Sequence, residues 1–303
     1  MSSNQSLSIF LLSNIGNVKA IKILKSINWK PNKYSQTDFI DQLYKNNFDR
    51  IDELTSLENT AKKRVDDLNN SGTSIINYFD KDYPQSLKMI KNPPLHLFIK
   101  GNLNIFTNKN IAIIGSRKPS SAGKNMAYQI SQLLSKENFN IISGLALGCD
   151  TEAHKGALSV NGNTLAVLPG PLDNIYPSSN NKLSEEILEK NGCLLSEYLS
   201  NTKIINPNFV QRDRLQSGLS SLIIVIETSI DGGTMHTVNF AIEQNKKIAC
   251  FGFNDDKNLI PSGNKELFSK QQVLKFSTEV EIKEIVNKID FNISKLPEQQ
   301  NFF

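Results

Sequence analysis

Three stretches of this chain offer glycines, cations or both in a way that suits phosphate. The first is "GSRKPSSAGK" (115–124), where Gly115 and Gly123 flank Ser116, Arg117 and Lys118, and Lys124 follows. A glycine closing an apolar run lets the backbone turn tightly, and the next helix then points free N–H groups at an anion. The second is "QRDRLQ", with Arg212 and Arg214 just ahead of the most apolar run in the chain. Read as extended backbone, residues two apart face the same way, so either both guanidinium groups meet one phosphate or they form a surface pair bonded to Glu197 or Asp213. The third is "DGGTMHT", where Gly232 and Gly233 precede Thr234 at a helix start and form a second anion cradle. None of these is a G-x-G-x-x-G, and no acidic residue stands where a dinucleotide ribose would need one, so a nicotinamide cofactor is not expected.

Other residues carry alternatives. In "SGLALGCDTEAHKGAL", Ser143 and Gly144 end an apolar run, and Asp150 reads as the N-cap of the next helix with His154 one turn on. Asp150 and His154 at i, i+4 either hold a metal or are a cap and a satisfied core histidine; no metal site is expected. The loop "LPGPLDNIYPSSNNKL" holds Tyr176 and Lys182. Tyr176 either stacks on a base or pins its own loop.

The elements that must position these residues are legible as short β-branched runs: "SIINYF", "LHLFIK", "IAIIG", "FNIISG", "TLAVLPG", "CLLSEY", "LIIVIET", "KIACFGF" and "QVLKF". Amphipathic stretches of ten or more residues separate most of them, which predicts an α/β fold with a doubly wound, mainly parallel sheet covered on both faces. Residues 1–74 read instead as a small all-helical domain, 75–278 as the sheet domain and 279–303 as a short helical and polar tail. "LLSNIGNVKAIKIL", with Gly16 at its turn, is SAM- or helix-hairpin-helix-like, or plain helical packing.

The bulk numbers permit this. The chain has 303 residues and a formal charge of +4, enough to allow an anionic partner without requiring one. Its three cysteines are widely spaced and odd in number, which fits reduced thiols in a cytoplasm, and its three histidines have no zinc-site spacing. No apolar run approaches a membrane span, so neither a membrane partner nor a targeting segment is expected.

Taken together, "YFDKDYPQSLKMIKNPPLHLFIKGN", "AIIGSRKPSSAGKNMA", "IISGLALGCDTEAHKGAL", "TLAVLPGPLDNIYPSSNNKL", "LLSEY", "FVQRDRLQSGLS" and "DGGTMHTVNFAIEQNKKIACFG" resemble the DprA/Smf family of DNA-processing proteins, in family order over about 78–265. The resemblance implies an extended Rossmann-like domain that forms a homodimer, takes single-stranded DNA in a basic pocket and passes it to the RecA recombinase, with no cofactor and no catalysis. Carried over by position, the pocket is lined by Gly115, Ser116, Arg117, Ser143, Gly144, Lys182, Arg212 and Arg214. The chain departs from the family at Leu147, where an arginine is usual, and at Asp213, which turns R-N-R into "RDR". "DGGTMHT" stands for an S-G-S-type turn, "FGFND" for a Pro-Gly pair, and the winged-helix end of many members is not expected. Two other functions compete. One is a nucleotide-binding or nucleoside-monophosphate-cleaving enzyme of the lysine-decarboxylase-like group, in which a Gly-Gly-x-Gly-Thr turn sits beside a catalytic glutamate. Here the first glutamate after Thr234 is Glu243, two helical turns on. The other is a partner-binding scaffold with a degenerate DNA site.

Overall fold

The computed structural model describes residues 16–29, 41, 45, 66–68, 70–106, 109–253, 260–289 and 291. Most of 30–65 in the expected helical domain 1–74, and the end of the tail, lie outside them. The chain divides into two compact units, 1–99 and 100–303.

In the first unit, α1 (Asn17–Ser26) buries Ala20, Ile21 and Leu24 at helical spacing, the stripe that makes the segment amphipathic. Strand β1 (Ser74–Asn77) pairs antiparallel with β2 (His96–Gly101), and the single turn α2 (Gln85–Lys88) lies between them. Tyr83, Leu87, Leu95 and Leu97 are fully buried here. The Tyr83 hydroxyl donates to the Pro94 carbonyl at 2.7 Å, which satisfies its one polar atom.

The second unit carries the strands β3 (Asn110–Ile114), β4 (Asn140–Ser143), β5 (Thr164–Val167), β6 (Cys193–Ser196), β7 (Leu222–Val225), β8 (Lys247–Phe251) and β9 (Val273–Phe276). They run parallel in the order β6-β5-β4-β3-β7-β8-β9. The helices between them are α3 (Ser121–Lys136), α4 (Cys149–Leu158), α5 (Asn181–Glu189), α6 (Asn206–Leu219), α7 (Thr234–Glu243), α8 (Ser262–Phe268) and α9 (Glu279–Asn287). Alternate residues of the central strands divide between two covers. Ile111, Ile113, Leu222 and Ile224 pack with Ala127, Ile130 and Leu134 of α3, Ala153 and Ala157 of α4, and Ile282 and Val286 of α9. Ala112, Ile114, Ile223 and Val225 are equally buried on the alternate side of those strands, where α6 packs on β3–β5, α7 on β7 and β8, and the two helices on each other. Burial on both faces is why these strands read as unbroken apolar runs. The result is the doubly wound, Rossmann-like sheet expected from the sequence.

Helix ends follow an Asn habit. Asn138, Asn161, Asn191 and Asn245 each stand just past a helix with φ between 54° and 62°, the left-handed position usually given to glycine. Asn tolerates it because its short polar side chain bonds locally.

One expectation is overturned. Arg212 and Arg214 are not on extended chain: 206–219 is helical, with Pro207 in its first turn. Two residues apart on a helix, the arginines diverge by about 200°.

Candidate nucleic-acid interface

Strand order reverses at β3 and β7, since β4 to β6 build away from β3 on one side and β8 and β9 on the other. Ligands of such sheets lie outside the carboxyl ends of the strands at that point. A cavity of about 380 Å³ occupies it. Its walls are Gly115 to Arg117 after β3, Thr228 and Ser229 after β7, Gly232 to Thr234 and His236 at the start of α7, and Phe209, Arg212, Asp213 and Gln216 of α6.

At its rim the Arg117 guanidinium is exposed and lies over the Phe209 ring, 5.2 Å from the centroid. Tyr176, 45% exposed, meets the same ring edge-on at 5.3 Å. A smaller hollow of about 50 Å³ shares Arg117, Phe209 and Arg212 with the cavity and adds Tyr176 and Leu147. Cation, rings and an apolar side chain thus form one exposed step, the combination that holds a base by its face and a phosphate by its charge.

Deeper in, Arg212 is buried and engaged. Its Nη1 donates to the carbonyls of Gly144 at 2.6 Å and Val167 at 2.7 Å, and its Nε to Asp213 Oδ1 at 3.0 Å. Gly144 is required here, because any side chain would strike that guanidinium. Burial pushes the Asp213 carboxyl up to about 6, against the pull of Arg212. Asp150 is also raised by burial, opposed first by Arg212 and then by N–H groups. Among the described residues, no group of three or more His, Cys, Asp or Glu is placed to hold a metal.

A family model described as DNA recombination-mediator protein A matches residues 74–287. The chain belongs to this family. Protein Smf of Synechocystis is 37% identical over 206 residues, covering 64% of this chain and 52% of its own. DNA processing protein DprA of Streptococcus pneumoniae is 34% identical over 202 residues, 64% of this chain and 71% of its own. The chain spans about half the length of the first of these curated relatives. The fold matches the X-ray structure of S. pneumoniae DprA with a TM-score of 0.74 at 24% identity, over 95% of this chain and 99% of that one. DNA processing protein A of Helicobacter pylori, described for its single-stranded DNA binding mode, matches with a TM-score of 0.64 at 28% identity, over 71% and 96%.

Within this recombination-mediator fold the expected site residues fall into three groups. Gly115, Ser116, Arg117, Arg212, Gly232, Gly233 and Thr234 meet at the cavity, and Gly144 and Tyr176 at the adjoining hollow. Lys118, Lys124 and Lys182 are exposed and line neither. Two residues before Lys182, Asn180 donates to the Leu145 carbonyl at 2.8 Å, which ties its loop to the end of β4.

Ser143 and Arg214 serve the scaffold. The Ser143 hydroxyl, fully buried, donates to Ile113 O at 2.7 Å. Arg214 makes a buried two-pronged pair with Glu197 at 2.6 and 2.7 Å. The helix leads to this outcome, since its turn sends Arg214 away from the wall that Arg212 occupies.

The first anion cradle is closed from within. At the start of α3, Ser120 N and Oγ both donate to Glu227 Oε2, at 2.9 and 2.8 Å, while Ser120 Oγ caps Gly123 N. Ser116 N donates to the Glu227 carbonyl at 2.6 Å. The helix terminus has its anion, and it is a side chain of this protein rather than a phosphate. Asp150 departs from the expectation too: it lies inside α4, after Gly148, and its carboxylate accepts from Gly144 N and Ala146 N instead of capping the helix. His154 is a core residue, its Nδ1 2.7 Å from Thr164 Oγ1. Sequence reasoning missed Phe209 and left Glu227 as a carboxylate without a role. The first is the lone aromatic residue of "NPNFVQ", and the second is the acidic residue two positions past the most apolar strand.

Proposed function

We propose that this chain is a non-enzymatic binder of single-stranded DNA, which it shields and passes to the RecA recombinase during DNA uptake or recombination. Membership of the recombination-mediator family supports the role, and the likeness to the H. pylori protein supports the ligand. The observation that carries the reading is the exposed Arg117–Phe209–Tyr176 step at the mouth of the switch-point cavity. Phosphates would run along Arg117, Lys118 and Lys182, and bases would stack on Tyr176 and Phe209, a sequence-tolerant contact of about 1–3 kcal/mol per base. On this reading 75–278 is the DNA-binding domain, 1–74 a helical domain and 279–303 a tail. The protein acts in the cytoplasm as a homodimer.

The cleaving-enzyme alternative lacks its constellation. Thr234 and Glu243 are the first and last residues of α7, roughly 13 Å apart along its axis, so phosphate cradle and carboxylate cannot share a substrate. The test is a fluorescence-anisotropy titration with labelled oligo-dT and its duplex at low and high salt. Single-strand binding that weakens with salt is expected. Absence of binding at low salt favours the scaffold, and release of free base from AMP favours the enzyme.

A further inference from the structure

We infer that Asp213 reads a nucleobase: the cavity accepts one base of the bound strand, and an N–H donor on that base's edge bonds the Asp213 carboxylate. This rests on the single-strand reading and adds to it the polarity of the ligand, with base inside and phosphate at the rim.

The cavity's charge is arranged for that polarity. Its one exposed guanidinium, Arg117, is at the rim. Its inner wall holds two buried carboxylates, Asp150 and Asp213, against the single buried guanidinium of Arg212. Arg212 has already given Nε and Nη1 to protein oxygens. A phosphate pushed inward would meet two carboxylates with little cation left to offset them. A base would meet acceptors.

Asp213 is the group placed to use this. It is 8% exposed, it lines the cavity, and its Oδ1 accepts from Arg212. Among the described residues no donor reaches its Oδ2. That oxygen is open to the cavity, where a ligand N–H can donate to it. Asp150 is the more buried of the two, and Gly144 N and Ala146 N both bond its Oδ2. The volume of about 380 Å³ is that of a small-ligand pocket and exceeds what one base fills. Every common base offers such a donor, from the imide N–H of thymine to the amino groups of the others.

The test compares three strands of equal length by anisotropy: oligo-dT, the same strand with N3-methylthymine, and an abasic strand. For the wild-type protein, N3-methylation is expected to weaken binding at least about tenfold, as loss of a hydrogen bond to a charged group would. Asp213→Asn, which keeps an oxygen for Arg212, is expected to weaken oligo-dT binding about fivefold or more while leaving the abasic strand unchanged. Equal wild-type affinity for methylated and unmethylated strands overturns the inference. So does an Asp213→Asn protein that binds oligo-dT and the abasic strand more tightly alike, because the carboxylate would then merely oppose phosphate. Failure of the wild-type protein to bind any strand contradicts the single-strand reading itself, a separate outcome.

Discussion

Helices α3 and α6 both cover the central sheet, yet they are built on different physics. Helix α3 is capped by Ser120 and turns Ala127, Ile130 and Leu134 inward, with Lys124 and Lys136 left in water. Helix α6 buries Asn208, Arg212, Asp213, Arg214, Gln216 and Ser217 together with Leu215 and Leu219. Hydrophobic burial stabilises the first. The second is held by internal ion pairs and carbonyl contacts whose desolvation cost must be offset by close geometry. The helix that lines the switch-point cavity is the one that buries charge, and α3 is not.

The comparison can be broken at its strongest point. Arg214→Ala leaves Glu197 buried and unpaired, and a loss of about 3–5 kcal/mol is expected in urea unfolding. A loss under about 1 kcal/mol would mean that α6 does not depend on the pair. A smaller effect concerns pH. The Asp213 carboxyl lies at about 6 in the folded chain, against an ordinary 3.8. The folded state therefore holds this proton more tightly, so its contribution is present below pH 4 and lost as pH rises through 6. Relative to Asp213→Asn, the wild-type chain should lose roughly 2–3 kcal/mol between pH 4 and 7. Parallel pH–stability curves for the two proteins would remove Asp213 from this role. The smallest effect belongs to α3, where Ile130→Val should cost about 0.5–1.5 kcal/mol, with DNA affinity unchanged. A change in affinity would show that the supporting helix is coupled to the site.

The same contrast explains what was legible in the sequence. All nine apolar runs hold strands, and the central ones, buried on both faces, read as continuous apolar stretches. Helix α3 announced itself by its stripe. Helix α6 has no apolar stripe, since more polar than apolar residues face inward, and only Pro207 marked its start. Reading it as extended chain gave Arg212 and Arg214 one direction and one role, where the helix gives them two. The closed cradle at Ser120 was hidden for another reason. Its anion, Glu227, is 107 residues away in sequence and meets it only because β3 and β7 are neighbours. Phe209 was illegible likewise: it matters through Arg117 and Tyr176, which reach it from two other loops.

Arg117 is the charge on which the proposed interface turns, because it is exposed and stacked while Arg212 and Arg214 are engaged within the protein. The deciding measurement is the salt dependence of oligo-dT affinity for the wild-type protein and for Arg117→Ala. The expected result is weaker binding and a log–log slope shallower by roughly 0.7, the share of one phosphate on a single strand. Equal affinity and equal slope for the two proteins would place the strand elsewhere on the molecule.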